Sequence, residues 1–442
     1  VAQAGDVVIE CWFSTYPFPG FLEPLEKLAE EFTTAHPGVR VVVRGHSYEE
    51  LPRIVAEAAL RGRAPAIATY YSGASPVARD TLTAEGRPLF GSVERAIDGR
   101  AEILGEEVVS DDILAAPKGF YTIGGELVAT PFTLTTKLMF SNTELLAAAG
   151  VAEVPRTWAE VEQASTALAE HVGHSIAWPV DGKFLQHAMA QQAAPVADQD
   201  NGRSGRAREL YLAGADMLAF VDWWQRLHAN GHYLHTGKQE DWEGTFGALI
   251  GRQVAMRFSS SFDGRYMVRA GAEAGFEVAV TPAPYNDDRP YAGNWIGGDA
   301  FWLADNLDPT TRDGALAFIQ FLSAPRNVAA WHRGTGSTPF TRGAVRLLED
   351  EGWFDAHPHH RVPADQLDRP ATGPGGHAAL IGDYHGIQLI LMDAVQDILD
   401  HGIDPTDRFA TAQRDAQALL DAYNRDAQTP GPKPEHCHRV RI

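Results

Sequence analysis

For its length the sequence is poor in cysteine and in basic residues and has no long apolar run, and each shortage removes a class of function. Only Cys11 and Cys437 are present in 442 residues, which makes neither a disulfide framework nor a zinc cage of CxxC pairs. Lys and Arg number 37 against 58 Asp and Glu, a formal charge of −21. Nucleic-acid affinity rests on cations neutralising phosphates, so DNA and RNA are not expected as partners. No apolar stretch approaches the roughly 18 residues that a membrane span needs. The nucleophile elbow, the HExxH zinc motif, the phosphate-binding P-loop and a strand-linked GxGxxG are all missing. No enzyme activity, no cofactor and no metal are therefore expected. Acidic pairs such as Asp111 and Asp112 read as solvated surface rather than as a glycosidase pair.

What is present is an ordinary globular composition, 44% hydrophobic and 21% charged, in a chain longer than one core usually supports. Two lobes of roughly 200 residues are the natural division. Val7 to Phe13 reads as a buried strand, and Leu22, Leu25, Leu28 and Phe32 follow at helical spacing until His36-Pro37-Gly38. A strand at Val39 to Val43, a helix from Glu49 to Leu60 and a strand from Ala64 to Tyr71 continue the alternation, which predicts an α/β fold with a parallel sheet. Such a sheet binds ligands at the carboxyl ends of its strands, near Phe13, Ser14, Tyr48, Tyr71 and Ser72. Leu127 to Leu138 reads as a further strand, and Thr157 with Glu160 forms a capping box at a helix start. Strands return at Gln253 to Phe258, around Val278 and at Ala300 to Ala304, so the chain is expected to revisit its first lobe and make both domains discontinuous. The tail from Gly386 reads as helical.

Aromatics carry the ligand signal. Trp12, Phe13, Tyr48, Tyr70, Tyr71, Trp178, Trp295 and Trp302 fall at strand ends or loops, where flat rings stack on sugar faces while polar groups bind the rim. Tyr48 and Trp178 are the strongest candidates and Trp302 reads as core. Gly297-Gly298 signals either a bulge or a close approach of backbone to ligand. The His357, His359, His360 cluster and His436-Cys437-His438 have metal-ligating residue types but no spaced second pair, and read as a surface loop and a terminus.

Ala64-Pro65-Ala66-Ile67, Pro155-Arg156-Thr157-Trp158, Ala255-Met256, Ile296-Gly297-Gly298, Phe321-Leu322-Ser323-Ala324-Pro325, Ala330-Trp331-His332 and Gly334-Thr335-Gly336 occur in an order and spacing that resembles the sn-glycerol-3-phosphate-binding proteins of ABC importers. The resemblance runs from about residue 6 to residue 425 and extends to the maltose-type sugar binders. It implies a periplasmic-binding-protein type II, or Venus-flytrap, fold with a ligand cleft between two lobes. It also implies hinge crossings near Thr133, Ser259 and Asp308, hence lobe segments 1–133 and 260–308 against 134–259 and 309–442. The implied setting is a monomer in the periplasm or at the cell surface, its signal peptide absent from this chain, delivering a small-molecule ligand to membrane permease subunits.

The same resemblance places ligand positions. Tyr48 matches a tyrosine that packs on glycerol, Ser72 replaces an acidic residue, Thr135 and Ser260 keep hydroxyls on the phosphate side, and Gly298 matches a backbone amide donor. A cleft tryptophan falls on Val180, with Trp178 close by to supply a ring. Ser337 stands where the family has a phosphate-binding tyrosine, and Gln388 where it has a phosphate-binding arginine. Without that arginine the anion loses a charge-assisted, bidentate bond. The expected ligand is a neutral carbohydrate or polyol held by Phe13, Tyr48, Ser72, Thr135, Trp178, Ser260, Trp295, Gly298, Ser337 and Gln388. Lys137, Lys183 and Arg257 keep open a glycerophosphate or glycerophosphodiester. An extracellular carbohydrate-active enzyme is the alternative from another class.

Overall fold

The computed structural model describes residues 7–17, 19–429 and 431–440; Val1, with which the first expected segment begins, lies outside them. Strand β1 (Val7–Thr15) buries Ile9, Cys11 and Phe13 by alternation. Helix α1 (Leu22–Ala35) lays Leu25, Leu28, Ala29 and Phe32 against the sheet. Strand β2 (Val39–Ser47), helix α2 (Leu51–Leu60) and strand β3 (Ile67–Tyr71) complete the opening β/α alternation. β1 pairs in parallel with both β2 and β3.

Strands β4 (Phe90–Gly91) and β5 (Ala129–Pro131) belong to this sheet, and β6 (Lys137–Asn142) opens a second one. The single strand expected over Leu127 to Leu138 is thus divided. Pro131 has no N–H to offer the ladder, and residues 132–136 carry the chain across to the second sheet. There β7 (Ile176–Ala177), β8 (Met256–Ser260), β6 and β9 (Val278–Pro282) lie side by side in that order. The chain then recrosses through residues 283–298, and β10 (Asp299–Ala304) pairs antiparallel with β3, β4 and β5. The two crossings pair with each other: Thr135 N donates to Gly297 O at 3.0 Å and Gly297 N to Thr135 O at 2.9 Å.

The second sheet carries α3 (Trp158–Leu168), α4 (Gly182–Gln191), α5 (Ala215–Ala229), α6 (Trp242–Ile250) and α7 (Gly264–Glu273). At the start of α3 the Thr157 hydroxyl accepts from Glu160 N at 3.2 Å, while the Glu160 carboxylate accepts from Arg156 N at 2.6 Å, one residue earlier than the usual reciprocal partner. Helices α8 (Pro309–Ser323) and α9 (Pro325–Thr335) precede the long tail pair α10 (Tyr384–His401) and α11 (Pro405–Ala427).

Each sheet has its own apolar core. One gathers Ile9, Phe13, Phe32, Phe132 and Phe318; another gathers Met139, Trp158, Trp178, Trp223, Ile387 and Phe409. Core membership departs from the expected segments in two places. Within 260–308, α7 and β9 pack on the second sheet, Met267 and Val278 joining Leu138 and Phe140. Within 309–442, α8 and α9 pack on the first sheet, where Gly314 brings α8 close to Ile9 and Val39 and Trp331 meets Phe13 and Phe132. Of the three expected crossing points only Thr133 lies in a crossing. Ser259 sits inside β8 opposite Leu138, and Asp308 caps α8, accepting from Thr310 N and Thr311 N.

Candidate functional site

A cleft of about 460 Å³ opens between the two sheets. β1, β2 and β3 run parallel, so their carboxyl ends reach one edge of the first sheet. The next or last residue of each, Tyr16, Tyr48 and Tyr71, lines the cleft. Tyr16 and Tyr48 stack at 5.7 Å with an interplanar angle of 26°, and Phe21 packs edge-on against Tyr16. The Tyr48 hydroxyl donates to Glu49 Oε1 at 3.1 Å. Beneath them the Tyr16 hydroxyl donates to Asp299 Oδ2, and Asp299 Oδ1 is buried with no hydrogen-bond partner. Burial pushes the Asp299 carboxyl up to about 7, against the opposing pull of that hydroxyl.

The opposite wall comes from the start of β6, the end of β8 and the first turns of α4 and α6. Lys137 opens β6 directly opposite Ser260, the last residue of β8, and both line the cleft. Asp181 caps α4: one oxygen accepts from Lys183 N at 2.8 Å and the other from Lys183 Nζ at 2.7 Å, the whole pair being buried. Burial alone would raise Asp181, but Lys183 and Lys137 outweigh it and hold the carboxyl below its usual value. Burial likewise opposes the Lys183 charge, and Asp181 overcomes it. Farther back Arg257 donates to Asp263 Oδ2 at 2.5 Å, to Thr245 Oγ1 and to Trp242 O. The two walls touch at the rim, where Phe21 meets Phe262 at 5.8 Å.

The expected ligand residues separate into two groups. Tyr48, Thr135, Ser260, Trp295 and Gly298 line the cleft. Phe13, Ser72, Trp178, Ser337 and Gln388 do not. Phe13 is core, edge-on to Phe132 and Trp331. Trp178 is fully buried between Trp223, Trp224 and Tyr233, and Val180 lies in the same core. Ser72 Oγ donates to Ile296 O at 3.2 Å, and Ser337 Oγ accepts from Leu134 N at 2.8 Å, so both brace the crossings from behind. Gln388 is buried against Gly182 at the start of α4, its amide nitrogen without a partner. Gly298 has φ 97°, and a Cβ there would stand 2.0 Å from Thr133 O, so its glycine is required by the paired crossings.

Sequence reasoning missed Tyr16, Phe21, Trp242 and Asp299. The rule that singled out Tyr48, one residue past a strand end, applies equally to Tyr16. Of the three cations kept open, Lys137 and Lys183 line the cleft, while Arg257 supports it through Asp263. The histidines draw together around His360, with His332 at 4.7 Å and His359 at 4.3 Å. Among the described residues no group of three or more His, Cys, Asp or Glu is arranged to hold a metal ion. Cys11 and Cys437 are both free and buried.

Residues 27–362 match the profile described as bacterial extracellular solute-binding protein. The sn-glycerol-3-phosphate-binding periplasmic protein of Pectobacterium atrosepticum is 23% identical over 418 residues, 91% of this chain and 89% of that protein. The sugar-binding protein MalE of Xanthomonas citri superposes with a TM-score of 0.77 at 17% identity, covering 94% of this chain and 98% of that one. The Mycobacterium tuberculosis UgpB structure in complex with glycerophosphocholine superposes at 0.66 and 20% identity, covering 95% and 99%. The fold is that of the type II periplasmic binding proteins, two α/β lobes about a cleft.

Proposed function

The chain belongs to the bacterial extracellular solute-binding protein family, and from that premise we propose that it captures a small carbohydrate or polyol between its lobes and presents it to the permease subunits of an ABC importer. The observation that carries this reading is the pairing of a stacked Tyr16/Tyr48 platform with a polar wall across one cleft, between sheets that own separate cores. Ring faces suit the C–H faces of a sugar or polyol, and Thr135 and Ser260 offer hydroxyls to its oxygens. Binding without covalent change would favour the closed arrangement because the ligand touches both walls.

Residues 132–136 and 283–298 serve as the hinge in this reading, since both run between the two sheets and pair with each other. No helix among the described residues is long and apolar enough to cross a membrane. Action as a monomer in the periplasm or at the cell surface fits the family's extracellular role. The neutrality expected of the guest rested chiefly on the tyrosine and arginine replaced at positions 337 and 388, which lie behind the wall, so its charge is a matter for the groups that face it.

The test is calorimetry of the full chain against a panel of saccharides and polyols, followed by recovery of the ligand. A response from at least one of them, with the ligand returned intact, is the expected result. Heat from none of them, or recovery of a cleaved product, overturns the reading.

A further inference from the structure

Lys137 differs from the other buried cations at the cleft, Lys183 and Arg257. It is 1% exposed, its Nζ lies 4.6 Å from the ring centres of Phe184 and Trp242 and 4.9 Å from that of Trp295, and no carboxylate of the described residues pairs with it. Lys183 and Arg257, by contrast, each hold an acid, Asp181 and Asp263. We propose that the captured guest carries a single negative charge on an oxygen acid, a sugar carboxylate or a phosphodiester, and that the caged Lys137 ammonium receives it. The proposal rests on the solute-binding reading above and deepens it.

The argument is one of charge balance in a confined space. Lys137, Lys183 and Arg257 face Asp181 and Asp263, which leaves one positive charge uncompensated. Arg265 also lines the cleft, but its bonds to Gly334 O and the Tyr266 hydroxyl are solvent-exposed, so its charge is hydrated and stands outside this buried set. On the facing wall Asp299 is held neutral up to about pH 7 by burial. A buried charge is tolerated only when it is paired. A monoanion completes the set, whereas a doubly charged phosphomonoester leaves an excess negative charge. Aromatic faces stabilise the ammonium in part but accept no hydrogen bond of carboxylate strength, so its donors remain for a ligand. Burial, seconded by Lys183 and Arg257 and opposed by Asp181 and Asp263, holds the Lys137 ammonium down to about 7 in the empty cleft. An arriving anion reverses this, so binding above pH 7 must draw a proton from solution.

Calorimetry of the intact chain tests this with matched probes: neutral mono- and disaccharides, the corresponding uronic acids, glycerophosphoglycerol and glycerol-3-phosphate. At pH 6.5 one uronic acid or the diester should bind at least tenfold more tightly than its uncharged counterpart, the better of the two telling carboxylate from diester, while glycerol-3-phosphate, with its second ionisation at about pH 6, should lose affinity more steeply than either as pH rises. The preferred probe's affinity should weaken by up to tenfold per pH unit above 7, with proton uptake seen as a dependence on buffer ionisation heat. Lys137→Met should abolish the preference, and Lys137→Arg should keep it while flattening the pH dependence. The wild-type pH profile stands even if a variant fails to fold. Tight binding of a neutral saccharide with no gain for its acid, or an affinity flat from pH 6.5 to 8.5, overturns the proposal and leaves the solute-binding reading intact. Silence from every probe overturns both.

Discussion

Both walls of the cleft bury polar groups, and they meet the cost of burial in opposite ways. The wall of the first sheet is made of phenols, Tyr16, Tyr48 and Tyr71, and the buried acid beneath them, Asp299, escapes the cost by holding its proton under the Tyr16 hydroxyl. The wall of the second sheet keeps its buried charges and pairs them, Lys183 with Asp181 and Arg257 with Asp263, leaving Lys137 as its buried exception. A ligand bridging both walls therefore meets stacking surface on one side and a single unmet charge on the other. Closure joins unlike halves, and each half can be broken separately.

The largest break is expected where pairing is most complete. Lys183→Ala would leave Asp181 buried without the ammonium that holds it, at a cost of about 3–5 kcal/mol. Urea denaturation of the variant should show that loss in its midpoint, with little change in slope. A loss below about 1 kcal/mol would mean that Lys137 takes over the pairing, and the two walls would then be less different than their geometry indicates.

The next sharpening uses pH. Folded Asp299 keeps its proton up to about 7 while the unfolded acid loses it near 3.8, so the folded state binds more protons in between and stability falls as pH rises through that window. Lys137 does the reverse: folded, it releases its proton near 7, while the unfolded amine holds one to about 10.5, so stability rises from pH 7 upward. Buried histidines such as His187, pushed down to about 3 by burial, act over the same acid range, so differences between variants are the readout. Asp299→Asn should gain on the wild type from pH 4 to 7, and the advantage of Lys137→Met should shrink from pH 7 to 10, each on the order of a few kcal/mol at 1.36 kcal/mol per unit. Parallel stability curves for either variant would show that its residue does not titrate as its burial implies.

The comparison also explains what could be read from the sequence. The β/α alternation of the first 71 residues, the return of strands after a helical block and the cap at Thr157 are local patterns, and β1, α1, β2, α2, β3 and α3 lie where those patterns place them. Strand ends then located Tyr48, because parallel strands present their carboxyl ends together. Trp178 fails by the same logic: it follows the two-residue strand β7, yet Trp223 and Trp224 from α5 close over it, a contact set by packing between distant segments. Ser72, Ser337 and Gln388 had polar side chains at family ligand positions, but backbone groups and α4 occupy the space before them. Nor could the sequence show that Lys137 is unpaired, since Phe184, Trp242 and Trp295 are gathered around it from three separate segments.

The smallest expected effect lies on the phenol wall. Tyr48 contributes a ring stacked on Tyr16, and its hydroxyl is already engaged by Glu49. Tyr48→Ala removes an aromatic face worth about 0.5–1.5 kcal/mol to a stacked partner, so ligand affinity should fall by up to about tenfold. Tyr48→Phe, which keeps the face, should change it less than about threefold, because a hydroxyl directed at Glu49 is not the guest's principal donor. Titrating both variants with the tightest-binding probe at pH 6.5 checks the pair. If the phenylalanine variant loses as much as the alanine one, the first wall grips by hydrogen bonding rather than by stacking, and the contrast between a charged wall and an aromatic one gives way to two polar walls.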